Sequence, residues 1–349
     1  MSDTASAEVF NQPPLTEVVP LPPEQTLGSR LRVGAGSSPA YMGVVLLVLV
    51  LFFSFLRPNT FATAFNARNI FLDASSLLIL AVGMTFVMIA GGFDLAIGSV
   101  LVFAGVSAAK LMEYMGTDGP LTVVVAVAAA LVTGVAWGVI NGFCITRLRV
   151  SALITTLGTM GAALGGAYLL SGGSDIRTVP AFLIAVGSGA LFGIPYLVII
   201  TAIIAGAGGV VLHMTKFGRH TFLVGSNPEG ARRAGIDVSG HLMKLYILSG
   251  LLAGFAAMLS LGRFSTTTLE GHSQDPLEAI TAVVLGGTSL TGGRGSVIGT
   301  VVGVFIPAVL ANGFIIMGVQ PFWQMVVIGF VVIAAVYVDQ IKRAGRDRN

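Results

Sequence analysis

Charge is what this chain has least of. Only 10% of its 349 residues are Asp, Glu, Lys or Arg, against 54% hydrophobic residues and a mean hydropathy of +0.90. Soluble domains carry about 25% charged residues, so an ordinary soluble enzyme or binding module is excluded. Cysteine is nearly absent: Cys144 stands alone in an apolar run, forms no internal disulfide and says nothing of the redox compartment. The four histidines, His213, His220, His241 and His272, lack metal-ligand spacing, so no metal and no cofactor are expected. A net charge of +3, dispersed over short loops, gives no footprint for nucleic acid. No basic start precedes an apolar core at the N-terminus, so no secretory signal is expected there.

Catalytic motifs are missing too. GGTSLTGG, Gly286–Gly293, has the spacing of a phosphate loop up to its second glycine, but Gly293 and Arg294 stand where Lys and Ser/Thr are needed. Nucleotide binding in this chain is therefore rejected. There is no paired-carboxylate, Ser-His-Asp or Cys-His arrangement. Nor is there a visible run of intramembrane acids with basic partners, as an ion-coupled carrier would use; Asp94 is the only acid between Ser75 and Lys110. A driven transporter without a motor of its own takes one from another chain.

What is present is a series of apolar runs, so the fold class is all-α, polytopic and membrane-embedded, with lipid as its solvent. About ten segments are expected: Ala40–Leu56, Ser75–Ala90, Leu95–Met112, Thr122–Thr146, Ala152–Leu170, Ile194–Leu212, Leu245–Leu261, Leu277–Leu290, Val297–Met317 and Phe322–Val338, with a weak piece at Ala181–Leu191. Ser75–Ala90 and Leu277–Leu290 fall short of the roughly 20 residues a straight span needs, and are expected to be tilted, broken or re-entrant. Residues 1–38 are polar and proline-rich and read as a disordered cytoplasmic tail. Residues 39–341 form the membrane domain, and 342–349 a basic cytoplasmic tail. With the N-terminus inside, 14 of the 19 basic residues fall on the inner side; Arg57, Arg68, Lys110, Arg177 and Arg263 fall outside.

The one long charged interval inside the apolar chain is the inner loop 214–244, whose polar core is FGRHTFLVGSNPEGARRAGIDV, Phe217–Val238. It encodes a short helix with both ends marked. Asn227 suits the N-cap and Pro228 the first helical position. Glu229 sits at the positive end of the helix dipole, Arg232 and Arg233 toward the negative end, and Gly235 suits a left-handed stop. So short a helix needs a surface to lie on. Elsewhere Gly134, Gly138 and Gly142 recur every four residues, as do Gly295, Gly299 and Gly303, making faces for close helix approach within one subunit or between two. GGFDLAIGSV (91–100) echoes GGRGSVIGTV (292–301), which suggests two related halves. Between Gly92 and Leu95, Asp94 is expected to cap the segment that starts at Leu95, marking a structural bend and not a proton carrier.

These stretches resemble, in order, the permease subunits of ribose-type (monosaccharide) ABC importers. AGGFDLAIGSV is similar to the family signature GGIDLSVGS. NGFCITRLRVSALITTLGTM, VGSNPEGARRAGIDV and EAITAVVLGGTSLTGGRGSVIGT resemble its later segments. Phe93, Ala96 and Gly230 depart mildly from the pattern, and the proline-rich tail is no part of it. The resemblance implies a permease working in the bacterial inner membrane beside a second permease, identical or not, with a cytoplasmic ATPase and an extracytoplasmic sugar-binding protein. ATP hydrolysis would belong to the partner. Asn227, Glu229, Gly230, Arg232, Arg233 and Gly235 would form the ATPase-coupling surface. Asp94, Ser99, Asn141, Thr155, Thr159 and Ser289 would line the translocation path. The cargo would be a small neutral sugar; a polyol, nucleoside or signalling furanone on the same machinery is the alternative, and a stand-alone secondary sugar transporter a more distant one.

Overall fold

The computed structural model describes residues 38–116 and 118–320, and beyond these 322, 323, 326, 327, 329, 330 and 337. The expected tail 1–38, apart from Ser38, the tail 342–349 and most of the segment Phe322–Val338 lie outside the described residues.

Twelve helices are described: α1 (Ser38–Leu56), α2 (Ala64–Ile89), α3 (Ile97–Met115), α4 (Pro120–Thr146), α5 (Ala152–Ser171), α6 (Ala181–Ser188), α7 (Tyr196–Met214), α8 (Lys216–Ser226), α9 (Pro228–Arg233), α10 (Val238–Phe264), α11 (Asp275–Leu285) and α12 (Val297–Ile316). A two-stranded hairpin, β1 (Ala190–Leu191) with β2 (Ile194–Pro195), joins α6 to α7. Among the described residues, seven helices are long and apolar enough to cross a membrane: α2, α3, α4, α5, α7, α10 and α12. The apolar part of α1, Ala40–Leu56, is shorter.

The helices begin where the sequence supplies a cap. Ser151, Thr215, Asn227, Asp237 and Ser296 each accept a backbone N–H with the side chain, opening α5, α8, α9, α10 and α12. Each such cap contributes about 1 kcal/mol. All five lie at the same end of the bundle, here the near end, which also holds the charged loop between α7 and α10. The 57–63, 116–119, 172–195 and 265–274 connections mark the far end. There Ile176 and Thr267 exchange hydrogen bonds, and Asp175 accepts from the Leu269 N–H at 3.0 Å, tying two connections together.

Two segments differ from expectation. Ser75–Ala90 is no short piece but the end of the 26-residue α2. Its first turns carry Asn66, Arg68, Asn69 and Asp73, which interrupt the hydropathy signal without interrupting the helix. Three of those groups have partners: Asn66 and Asn312 exchange two side-chain hydrogen bonds at 2.9 Å, Arg68 donates to the Ser188 carbonyl, and Asp73 pairs with Arg263. Leu277–Leu290, in contrast, is helical only as the 11-residue α11. At 1.5 Å per residue that is about 16 Å, roughly half a hydrocarbon core. Just after α11 the irregular backbone is covered by protein, with Gly286, Thr288 and Ser289 buried, the condition for such a segment within a membrane.

The repeated glycines settle as packing inside the chain. Gly134 meets Gly250, Gly138 meets the Tyr246 backbone and Gly142 meets Met243, so α4 lies directly on α10. Gly299 and Gly303 seat α12 on Gly286 and Ala282 of α11 in the same way. Backbones this close gain van der Waals contact that a methyl group at any of these positions would abolish.

Candidate functional site: a charged loop joined to two helix breaks

The near-end loop folds as its residues dictate. Asn227 has extended backbone, and its Oδ1 accepts the Gly230 N–H at 2.8 Å. Pro228 takes the first helical position, where its missing N–H costs nothing. The helix runs six residues, and Gly235 turns the chain at φ +81°. Glu229 holds Arg232 at 3.1 Å and Arg233 at 3.7 Å; all three side chains are exposed. Pairs this exposed contribute about 0–1 kcal/mol, so the charges of α9 are available to a partner at little loss to the fold. Gly230 is small for a local reason: a Cβ there would press on the Asn227 side chain at 3.1 Å, against the cap itself.

Behind α9, α8 reaches inward. Thr221 Oγ1 and His241 Nε2 hydrogen-bond at 2.9 Å, fixing α8 to α10. At the last turn of α8, Gly225 lies directly against the Ile89 carbonyl and the Gly293 amide. That is where two interrupted elements meet. The Gly293 N–H donates to the Ile89 carbonyl at 2.7 Å, and Thr85 Oγ1 and Thr300 Oγ1 are 2.6 Å apart. The two echoing decapeptides are thus neighbours. Their first glycines, Gly91 and Gly292, share a left-handed backbone (φ +83° and +84°), and the helices that follow start at Ile97 and Val297.

Asp94 lies in the first of these breaks, 3% exposed. Its Oδ1 accepts the Ala96 N–H at 3.1 Å and its Oδ2 accepts from Ser249 Oγ at 2.7 Å. The expected cap does not form: Ala96 is the N-cap, no side chain caps this helix, and Asp94 ties the turn just before it. The helix starts at Ile97, not Leu95, and one N–H is bound; the second oxygen binds α10. Tyr246 Oη donates to the Phe93 carbonyl at 3.2 Å and leaves no room for a side chain at Gly92. Tyr246 and Ser249 are the partners that sequence reasoning missed. Their only signal is a pair of polar groups three residues apart in the apolar run Leu245–Leu261.

The remaining path residues are not gathered around Asp94. Asn141 Oδ1 accepts from Thr159 Oγ1 at 2.6 Å, joining α4 to α5. Thr155, one turn away, has a buried hydroxyl without a partner among the described residues. Ser289 pairs with Thr291 at 3.0 Å in the second break. Ser99 is buried in the first turn of α3. The fold assembles Asp73, Arg263, His272, Asp275 and Glu278 around one cavity near the far end.

The family described as branched-chain amino acid transport system / permease component matches residues 66–336. The chain is similar to the ribose import permease protein of Escherichia coli strain K12, 38% identical over 304 residues, covering 86% of this chain and 93% of that protein. It is similar to the galactose/methyl galactoside import permease protein of Salmonella typhimurium, 34% identical over 320 residues (86% and 94%). It is also similar to the L-arabinose transport system permease protein of Shigella flexneri, 35% identical over 305 residues (87% and 91%). No solved structure matches it. With this breadth of match, the apolar helices and the ordered motifs have one reading: the chain belongs to the branched-chain amino acid transport system / permease component family, and is the permease of an ABC importer.

Proposed function

We propose that this chain is the membrane pathway of an ATP-driven importer for a monosaccharide, with a cytoplasmic ATPase, an extracytoplasmic sugar-binding protein and a second permease as partners. The observation that carries the reading is the junction at Gly225. An exposed, charged, capped helix is linked by one rigid turn to both broken elements of the membrane domain. A push on α9 reaches Ile89 and Gly293 without passing through a flexible segment. The names of three similar proteins, for ribose, galactose and arabinose, support a small neutral sugar as cargo. The test is uptake of radiolabelled ribose, galactose and arabinose by vesicles holding the full transporter, with ATP inside. Uptake of none of them, or uptake by this chain without an ATPase, would overturn the proposal.

Two expected outcomes accompany it. Gly230→Phe displaces the Asn227 cap, and Arg232→Glu puts a second acid beside Glu229. Both variants are expected to insert normally, because the site is exposed, yet to lose most binding-protein-stimulated ATP hydrolysis in reconstituted vesicles. Full stimulation with full uptake in both would remove α9 from the coupling surface. The basic-residue distribution assigns the near end and both termini to the cytoplasm of a bacterial inner membrane. On a Cys144→Ala background, cysteines at Asp118, Asp175 and Gly271 are expected to react with an impermeant thiol reagent added outside. Labelling from outside at Ser2 or Arg346 would reverse the orientation.

A further inference from the structure

A cavity of about 490 Å³ lies near the far end of the bundle, bounded by α2, the end of α10, the 265–274 connection, α11 and α12. Its size is that of a small-molecule site. Its lining is unusual for a membrane domain. Asp73 of α2 is ion-paired with Arg263 of α10. His272, 7% exposed, is held on both ring nitrogens, by Asp275 at 2.7 Å and by Ser260 at 2.9 Å. Glu278 lies one turn along α11 from Asp275, and its carboxylate makes no side-chain hydrogen bond to any described residue. Phe264 is 49% exposed and forms part of the wall, with the Arg263 guanidinium 5.1 Å from its ring centroid.

Each group narrows the occupant. A metal or alkaline-earth cation would need several free oxygens. Here Asp73 and Asp275 are already taken by Arg263 and His272, and a single free carboxylate is left. An apolar ligand would cover that carboxylate without giving it a donor, at a desolvation cost. A neutral polyhydroxy compound satisfies the whole set. Two adjacent hydroxyls can donate to Glu278, the guanidinium can donate to a ring or hydroxyl oxygen, and the apolar face of a sugar ring can lie on the Phe264 edge of the wall.

We propose that this cavity is a sugar-binding site at the far end of the permease, with Glu278 accepting from vicinal hydroxyls of a monosaccharide. The inference rests on the sugar-import reading above and adds the residues that receive the cargo. The fixed pairs Asp73–Arg263 and His272–Asp275 preorganise the walls, so binding requires little reordering inside the cavity. Weak binding suits it, since a site on an import path must also release.

The test uses the complete transporter in vesicles, on a Cys144→Ala background, with ribose, galactose and arabinose as probes. Glu278→Gln and Phe264→Leu are expected to lower uptake of the transported sugar at least tenfold, with basal ATP hydrolysis and subunit assembly unchanged. Phe264→Trp is expected to keep uptake within about threefold, since it retains an aromatic wall; a purely packing role would not separate Trp from Leu in this direction. Independently, a cysteine replacing Ser76 in the cavity wall is expected to react more slowly with a small maleimide when the transported sugar is saturating, and not with L-glucose. This second readout does not depend on the folding of the charge variants. Normal uptake in both Glu278→Gln and Phe264→Leu, or no protection of the Ser76→Cys thiol by a sugar the wild type imports, would overturn the site. Absence of import by the wild type would instead overturn the function it rests on.

Discussion

Gly225→Ala is expected to cut sugar uptake at least tenfold, and binding-protein-stimulated ATP hydrolysis with it. A single methyl group there has nowhere to go. It would meet the Ile89 carbonyl oxygen and the Gly293 amide, the two ends of the hydrogen bond that joins the breaks. Neither is a side chain that could swing away, so α8 must move off the breaks. Overpacking of this kind costs about 1–3 kcal/mol where the surroundings resist. Here the strain falls where α8 meets both Ile89 and Gly293, so coupling suffers more than stability. The surface of α9 is untouched, and copurification of the ATPase with the variant is expected to match wild type. Gly206→Ala, where a Cβ would meet nothing within 4 Å, is the control and is expected to behave as wild type. Uptake by Gly225→Ala equal to that control would mean that α8 and the breaks move independently, and the coupling route would have to lie elsewhere.

Much of this was legible because local rules decide it. Asn227, Pro228 and Gly235 announce a helix start and stop whatever surrounds them, and the structure has both where the residues put them. The glycine spacing in Thr122–Thr146 announces a close-packed face. It cannot say which helix fills that face, because α10 lies more than a hundred residues away and carries its own small residues, Gly250 and Gly254. Hydropathy misjudged the start of α2 for a related reason. Asn66, Arg68 and Asp73 look like the end of a membrane segment, yet each is satisfied by a group distant in sequence. The cavity acids were hidden most completely. Asp73 and Arg263 are 190 positions apart, and their pairing is a property of the packed bundle alone. Glu278 was in view, but as one acid in a weak segment. Its place beside Asp73 and Arg263 in a cavity wall is set by the packing of α11 against α2 beside the end of α10. Function was more legible than geometry, since motif order identifies a family without revealing which polar groups meet.

The second large effect is expected at Asp94. Asp94→Leu should abolish uptake by loss of folding or assembly, while Asp94→Asn should keep it within about threefold. The carboxylate makes two bonds that bear on different elements: Oδ1 with the Ala96 N–H just before α3, and Oδ2 with Ser249 Oγ on α10. Leucine fills the space and satisfies neither. A buried donor left without a partner costs about 1–3 kcal/mol, and here two are left together beside a left-handed glycine. That is a sizeable part of the marginal stability of any domain. Asparagine keeps one carbonyl oxygen for the Ala96 N–H. Its NH₂ can donate to Ser249, whose hydroxyl turns from donor to acceptor without moving a heavy atom. Ser249→Ala removes only the second bond and is expected to fall between the two, with reduced membrane levels and residual uptake. The three variants are compared by uptake at matched membrane levels, and by the fraction of each chain that copurifies with the ATPase. If Asn abolishes uptake while Leu retains it, Asp94 is not a structural tie. If Asn leaves the level of uptake intact but shifts a steep pH dependence, the carboxyl group carries a proton, and the break around it would be a relay in place of a hinge.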